Sequence, residues 1–286
     1  MAWAIDRELY RRHKERPFDV AISSDISGLL TSITSPEIPG AMVFHYTYKA
    51  FSQSAMRNGG QKDASRVVTP FLERIAARRK AVVAVSPKVQ RDLRRYYGIE
   101  SRLIENGIDL KIFRPMDRDE ARRAIGIDWQ GPMGIFVGRT DRTKGFDVVE
   151  AVARARRDLR ILCVSGKAFK SDLMYTASGV KNSEMPLYYS AADFLLFPSR
   201  YESLSYTSIE ALACDLPVVA SRTGIFEDIE SDRVGVIVGS EEPEDYSDGI
   251  DRVLQMQVHP RALAEERFSL DRFREEYAQL ALDLVS

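Results

Sequence analysis

The sequence predicts an α/β protein of two domains, each a parallel sheet covered by helices. Three observations predict it. Short apolar runs rich in Val, Ile and Phe alternate with helical stretches along the chain. These runs are continuously apolar, as strands buried on both faces are. A Pro- and Asp-containing stretch at residues 110–132 breaks the rhythm and divides the chain near 114/115. At 286 residues the chain has room for two domains.

In chain order, the first domain (1–114) offers strands at FDVAIS (18–23), AMVF (41–44), AVVAV (81–85) and RLIE (102–105). Helices are expected at TPFLERIAARR and KVQRDLRRYYG. The second domain (115–286) offers MGIFV (133–137), RILCV (160–164), DFLLF (193–197), PVVA (217–220) and VGVIV (234–238). Its helices are FDVVEAVARARR and SYTSIEALAC. The final SLDRFREEYAQLALDLV reads as an amphipathic helix, free to pack back on the first domain.

Composition excludes several classes. Hydrophobic residues are 44% and charged residues 29%, as in globular proteins. No window approaches the apolar length of a membrane span. The opening MAWAIDRELYRRHKER has no apolar run before its charges, unlike a signal peptide. The expectation is a cytoplasmic protein, peripheral at most to the inner face of the membrane. Cys163 and Cys214 sit in apolar settings as small core residues, and His13, His45 and His259 are scattered, so no metal site is expected. Residues 1–114 carry 20 Lys+Arg against 12 Asp+Glu, and residues 115–286 carry 21 against 30. Each basic helix reads first as a solvated face. A sharper reading is a basic surface for an anionic acceptor or lipid. No nucleic acid is expected, and no G-x-G-x-x-G follows an early strand as a dinucleotide enzyme would require.

Ligands of open α/β sheets bind beyond the carboxyl ends of the strands. There the second domain carries Gly138-Arg139 with Lys144-Gly145, then Ser165-Gly166-Lys167, then residues 198–202 ending at Glu202, then Ser221-Arg222-Thr223-Gly224. Arg139 and Lys144 suit a diphosphate, though either alone reads equally as a surface charge. Ser203, Leu204 and Ser205 lie where the next helix is expected to begin, and helix N-termini bind phosphate. Glu202 precedes that helix and Glu210 lies about two turns inside it, roughly 12 Å along. Carboxylates accept well from vicinal hydroxyls. The pair therefore suits a diphosphate with a polyol on each side. The competing readings are a dipole-favoured charge for Glu202 and a surface glutamate for Glu210.

The segment from Glu202 to Glu210 resembles the E-x7-E signature of retaining GT-B glycosyltransferases of family 4. YYSAADFLLFPSRYES, the Gly138-Arg139 and Lys144-Gly145 spacing, and residues 105–109 with Phe113 and Pro115 resemble further motifs of that family, in the same order. The closing FSLDRF resembles another. The resemblance runs from about residue 18 to the end. It implies two Rossmann-like domains facing a cleft and transfer of a sugar from a nucleotide diphosphate such as a UDP- or GDP-sugar, with retention. Arg139, Lys144 and the backbone of Ser203, Leu204 and Ser205 would bind the diphosphate. Glu210 would bind the ribose, and Glu202 and His45 the transferred sugar. Val180 and Gly166 would lie by the base. The resemblance implies no cofactor and no metal, so Asp117-x-Asp119 reads as exposed loop charge.

Two departures stand out. Ser203 and Ser205 replace glycines that the family usually carries, and Gly224-Ile225 replaces a Gly-Gly. The first strand of the family's N-terminal domain and its glycine loop have no counterpart, so this domain reads as truncated. An alternative follows: a non-catalytic nucleotide-sugar-binding subunit that needs a partner chain. A nucleotide-sugar epimerase is a further GT-B reading, weakened by missing histidines.

Overall fold

A computed structural model describes residues 2–25, 38–57, 65–77 and 80–286. Two compact units emerge, one of residues 1–106 with 271–286, the other of residues 107–270. The division falls at 106/107 rather than 114/115 because Ile108 and Phe113 are buried in the core of the second unit.

The first unit opens with helix α1 (Ala2–Glu15). A parallel sheet follows, with β1 (Ala21–Ser24), β2 (Gly40–Phe44), β3 (Ala81–Ala84) and β4 (Arg102–Leu103) side by side in chain order. Every residue of β2 is buried, as its unbroken apolar run requires. Helices α2 (Tyr48–Arg57), α3 (Ser65–Ala77) and α4 (Pro87–Tyr97) lie between strands. The sequence Ser-Pro…Gly frames α4: Ser86 Oγ accepts from Val89 N–H at 3.2 Å, and Gly98 ends the helix at φ 65°. The expected helical residues Arg78 and Arg79 lie outside the described residues. On α1, Arg11 pairs with Glu8 and Glu15, and Arg12 with Glu8, so part of the expected basic face is neutralised on its own helix.

The second unit begins with α5 (Arg118–Ala124). Asp117 caps it, its carboxylate accepting from Glu120 N–H at 2.9 Å, and Asp119 sits in its first turn. The expectation that Asp117 and Asp119 are loop charges is thereby corrected: both serve a helix N-terminus. A six-stranded parallel sheet follows, of β5 (Met133–Val137), β6 (Arg160–Ser165), β7 (Met174–Ser178), β8 (Phe194–Phe197), β9 (Val218–Ser221) and β10 (Gly235–Val238). Its spatial order is β10-β9-β8-β5-β6-β7. Helices α6 (Phe146–Ala155), α7 (Met185–Ser190), α8 (Tyr206–Ala213), α9 (Ser231–Val234), α10 (Pro243–Val253) and α11 (Arg261–Arg267) complete the unit. Alternate strand residues serve opposite faces: Ile135, Leu195 and Val218 join one core cluster, Phe136, Leu196 and Val219 the other. Cys163 and Cys214 are free and buried.

The last helix, α12 (Leu270–Val285), returns to the first unit. There Asp283 accepts from Arg102 at 2.7 Å, and Arg272 donates to the Glu105 carbonyl at 3.4 Å. Among the described residues no helix is long and apolar enough to cross a membrane.

Candidate active site

The strand order fixes where a ligand belongs. From β5 the chain proceeds outward through β6 and β7, then returns to β8 on the other side of β5 and runs out through β9 and β10. The reversal lies between β5 and β8. In open α/β sheets ligands bind at such a reversal, beyond the carboxyl ends of the strands, where the loops leaving β5 and β8 lie here.

The β5 loop supplies Arg139, Asp141 and a single 3-10 turn, Arg142–Lys144. Asp141 caps that turn through Lys144 N–H (3.2 Å) and accepts from Arg139 Nε (2.7 Å). Gly145 closes it at φ 70°, and a Cβ there would overlap the Pro198 carbonyl oxygen on the β8 loop. Only glycine lets the two loops touch in this way.

The β8 loop supplies Ser199, Arg200 and Glu202. Lys144 Nζ donates to Glu202 Oε1 at 2.5 Å, and Ser199 Oγ donates to the same oxygen at 2.7 Å. Glu202 is 8% exposed, so the ammonium compensates a charge largely removed from water. Its backbone N–H donates to Thr223 Oγ1 at 3.1 Å, tying in the β9 loop. Next to Thr223, Gly224 takes φ 60°, and a Cβ there would come within 2.9 Å of the Glu202 Cβ. Three loops thus converge on one glutamate, two at its carboxylate and the third at its backbone N–H.

Helix α8 starts at Tyr206, later than expected, with Ser205 as its cap accepting from Ser208 N–H. Ser203, Leu204 and Ser205 are therefore loop, and Glu210 is the fifth residue of the helix, so the expected two-turn axial separation does not hold. Glu210 is not a surface glutamate either. It is buried, and Oε2 accepts from the hydroxyl of Tyr189 on α7 at 2.8 Å. Burial pushes its pKa up, and the Tyr189 hydrogen bond partly opposes this.

The structure thus joins Lys144 and Glu202 directly. Arg139 stays solvated, its side chain 70% exposed, and faces Asp141 instead. Gly166 follows β6 and is exposed, while Val180 follows β7 and packs partly buried against the core. His45 belongs to the first unit. It follows β2, is exposed, and its N–H donates to Asp25 Oδ1 at 3.2 Å. Sequence reasoning gave no role to Ser199, Thr223 or Tyr189. Ser199 and Thr223 stand in the loops it singled out, but their convergence on Glu202 depends on β8 and β9 being neighbours.

Residues 117–268 match the family Glycosyl transferases group 1, and residues 1–112 match Glycosyltransferase Family 4. This chain belongs to the glycosyl transferases group 1 family. A D-inositol 3-phosphate glycosyltransferase from Segniliparus rotundus is 34% identical over 195 residues, which is 60% of this chain and 43% of that protein. The one from Mycobacterium leprae is 31% identical over 179 residues, 56% of this chain and 42% of the relative. The matches therefore span less than half the length of these relatives. Among solved structures, sucrose-phosphate synthase from Thermosynechococcus elongatus superposes with TM-score 0.84 at 21% identity, over 98% of this chain and 77% of that one. Anabaena HepE in complex with UDP and glucose superposes with TM-score 0.75 at 18% identity, over 96% and 80%. The fold is that of the GT-B glycosyltransferases.

Proposed function

We propose that this chain transfers a sugar from a nucleotide-diphosphate donor to an acceptor hydroxyl, retaining the configuration at the anomeric carbon. One observation carries the reading: the Lys144 ammonium and the Glu202 carboxylate meet where the loops leaving β5 and β8 come together at the sheet's reversal. A cation there stabilises the negative charge that grows on a departing nucleoside diphosphate. A carboxylate beside it accepts from sugar hydroxyls and holds the anomeric carbon near the leaving group.

The other groups take roles around that pair. Arg139 is solvated and able to turn from Asp141 to the second phosphate. The loop N–H groups of Ser203, Leu204 and Ser205 complete the phosphate cradle. Glu210, held by Tyr189, accepts from the ribose hydroxyls. The loops at Gly166 and Val180 face the base. His45, at the carboxyl end of β2, is proposed to bond a sugar hydroxyl. The solved HepE protein binds UDP and glucose, which supports a nucleotide-sugar donor here. Leaving-group charge is met by side chains and N–H groups, so the mechanism proposed uses no metal. The acceptor proposed is anionic or lipid-linked, in keeping with 20 Lys+Arg against 12 Asp+Glu in residues 1–114.

Thermal shift and calorimetry with UDP, GDP, ADP and their glucose or mannose conjugates test the reading. A ligand that binds only the native state raises its melting temperature with concentration. No binding by any diphosphate sinks the donor site. Binding without transfer or slow donor hydrolysis leaves the site standing and sinks the catalytic role.

A further inference from the structure

Arg200 has a side chain only 5% exposed, yet it lies between the proposed phosphate ligands and the helix behind them. A guanidinium carries five donors in a rigid fork, and burying one leaves a large cost unless most are satisfied. Here they are spent on three separate elements. Nη1 and Nη2 grip the two oxygens of Asp147, in the first turn of α6, at 2.7 and 2.9 Å. Nε donates to Glu241, beyond β10, at 2.8 Å. Nη1 also donates to the Arg142 carbonyl at 2.5 Å, and the Arg200 backbone N–H donates to the Thr143 carbonyl at 2.9 Å.

The last two bonds matter most. Arg142 and Thr143 are the first two residues of the three-residue turn whose third is Lys144. Such a turn makes few bonds of its own. Beyond the Asp141 cap and the Gly145 closure, Arg200 binds it at two carbonyls, Arg142 and Thr143, and Ser199 Oγ adds a longer bond to Thr143 at 3.4 Å. Arg200 in turn is two residues from Glu202, on the same loop. The residue that fixes the base of the cation therefore sits beside the carboxylate that the cation meets.

We propose that Arg200 is a positioning residue for the diphosphate end of the donor. It sets the 142–144 turn, and with it the reach of the Lys144 ammonium, without touching the ligand. The inference rests on the donor reading above. It differs from a purely structural role in one respect: loss of Arg200 penalises the diphosphate more than the nucleoside.

The test compares each nucleoside diphosphate that the wild type binds with its own monophosphate, by calorimetry on the whole chain. Wild type, Arg200→Lys and Arg200→Met are measured, with Glu241→Gln as a milder variant that removes the charge of one outer partner while keeping an acceptor. Circular dichroism and melting temperature establish folding. Arg200→Lys keeps the charge but loses the fork, and is expected to lose about tenfold in the ratio of diphosphate to monophosphate affinity. Arg200→Met loses more, and Glu241→Gln less than threefold. If Arg200→Met does not fold, Arg200→Lys and Glu241→Gln decide the matter. Folded variants that keep the wild-type ratio overturn the inference while the donor reading stands. A wild type that does not prefer diphosphate overturns the donor reading, and this inference with it.

Discussion

Each unit buries a carboxylate near the carboxyl edge of its sheet, and the two are treated differently. Glu202 in the second unit has an ammonium and a hydroxyl on one oxygen. Glu73 in the first, on α3, is 2% exposed, and its described partners are a phenol and a backbone amide. The hydroxyl of Tyr97 donates to it, and the N–H of Tyr48 reaches both of its oxygens at 3.2 Å. Tyr48 opens α2, so Glu73 also faces the positive end of a helix. That substitute is incomplete: burial pushes the Glu73 pKa up to about 7, and Asp25 adds to the rise. Glu202 is paired with an ammonium, whereas a helix end and a phenol leave Glu73 on the edge of protonation. The first arrangement suits a fixed electrostatic site. The second makes its surroundings responsive to pH.

The largest expected effect comes from breaking the paired site. Lys144→Ala leaves Glu202 buried beside a hydroxyl alone. Nucleoside diphosphate affinity is expected to fall by about a hundredfold or more, and stability by about 1–3 kcal/mol, since Lys144 is itself partly solvated. Calorimetry and urea unfolding measure both. Unchanged affinity would remove Lys144 from the site. Gly145→Ala comes next. It combines a left-handed backbone with overlap on the Pro198 carbonyl, and is expected to cost about 2 kcal/mol or more in urea. A neutral result would mean that the two loops do not touch as described.

Glu73 gives a smaller effect with a definite sign. Its folded pKa, about 7, lies above the ordinary 4.5, so between these values the folded state holds a proton that the unfolded state has lost. Stability from this group therefore falls as pH rises from about 4.5 through 7. Wild-type urea midpoints are expected to drop between pH 5 and 8, and Glu73→Gln to flatten that slope. Parallel slopes in the two proteins would contradict the comparison. The smallest effect is at Arg139, a solvated pair with Asp141. Arg139→Ala is expected to change stability by less than about 0.5 kcal/mol while weakening diphosphate binding severalfold. Equal binding by the two proteins would leave Arg139 a surface charge.

Much of the fold was legible because buried parallel strands leave apolar runs that need no partner information to read. β7 (Met174–Ser178) was missed because it is an edge strand with no continuous apolar run: Met174 is buried, Tyr175 and Ala177 are partly buried, and Thr176 and Ser178 are exposed. Within the site, the spacing of Lys144, Glu202 and Glu210 could be read along one line of sequence. The start of α8 could not, because Ser203 and Ser205 are both competent caps and only tertiary placement selects the second. The roles of Ser199, Thr223 and Arg200 depend on loops far apart in sequence, and no local pattern encodes that meeting.

The return of α12 to the first unit has a consequence for synthesis. Chains are made from the N-terminus, and early domains ordinarily fold first. Here the second unit has all of its residues once Leu270 is made, whereas the first still lacks the helix that carries Arg272 and Asp283. The later-made unit is thus the earlier to be completed. The N-terminal one waits while residues 107–270 are made, with Arg102 and the Glu105 carbonyl lacking these contacts, and is exposed to chaperones and proteases for that interval.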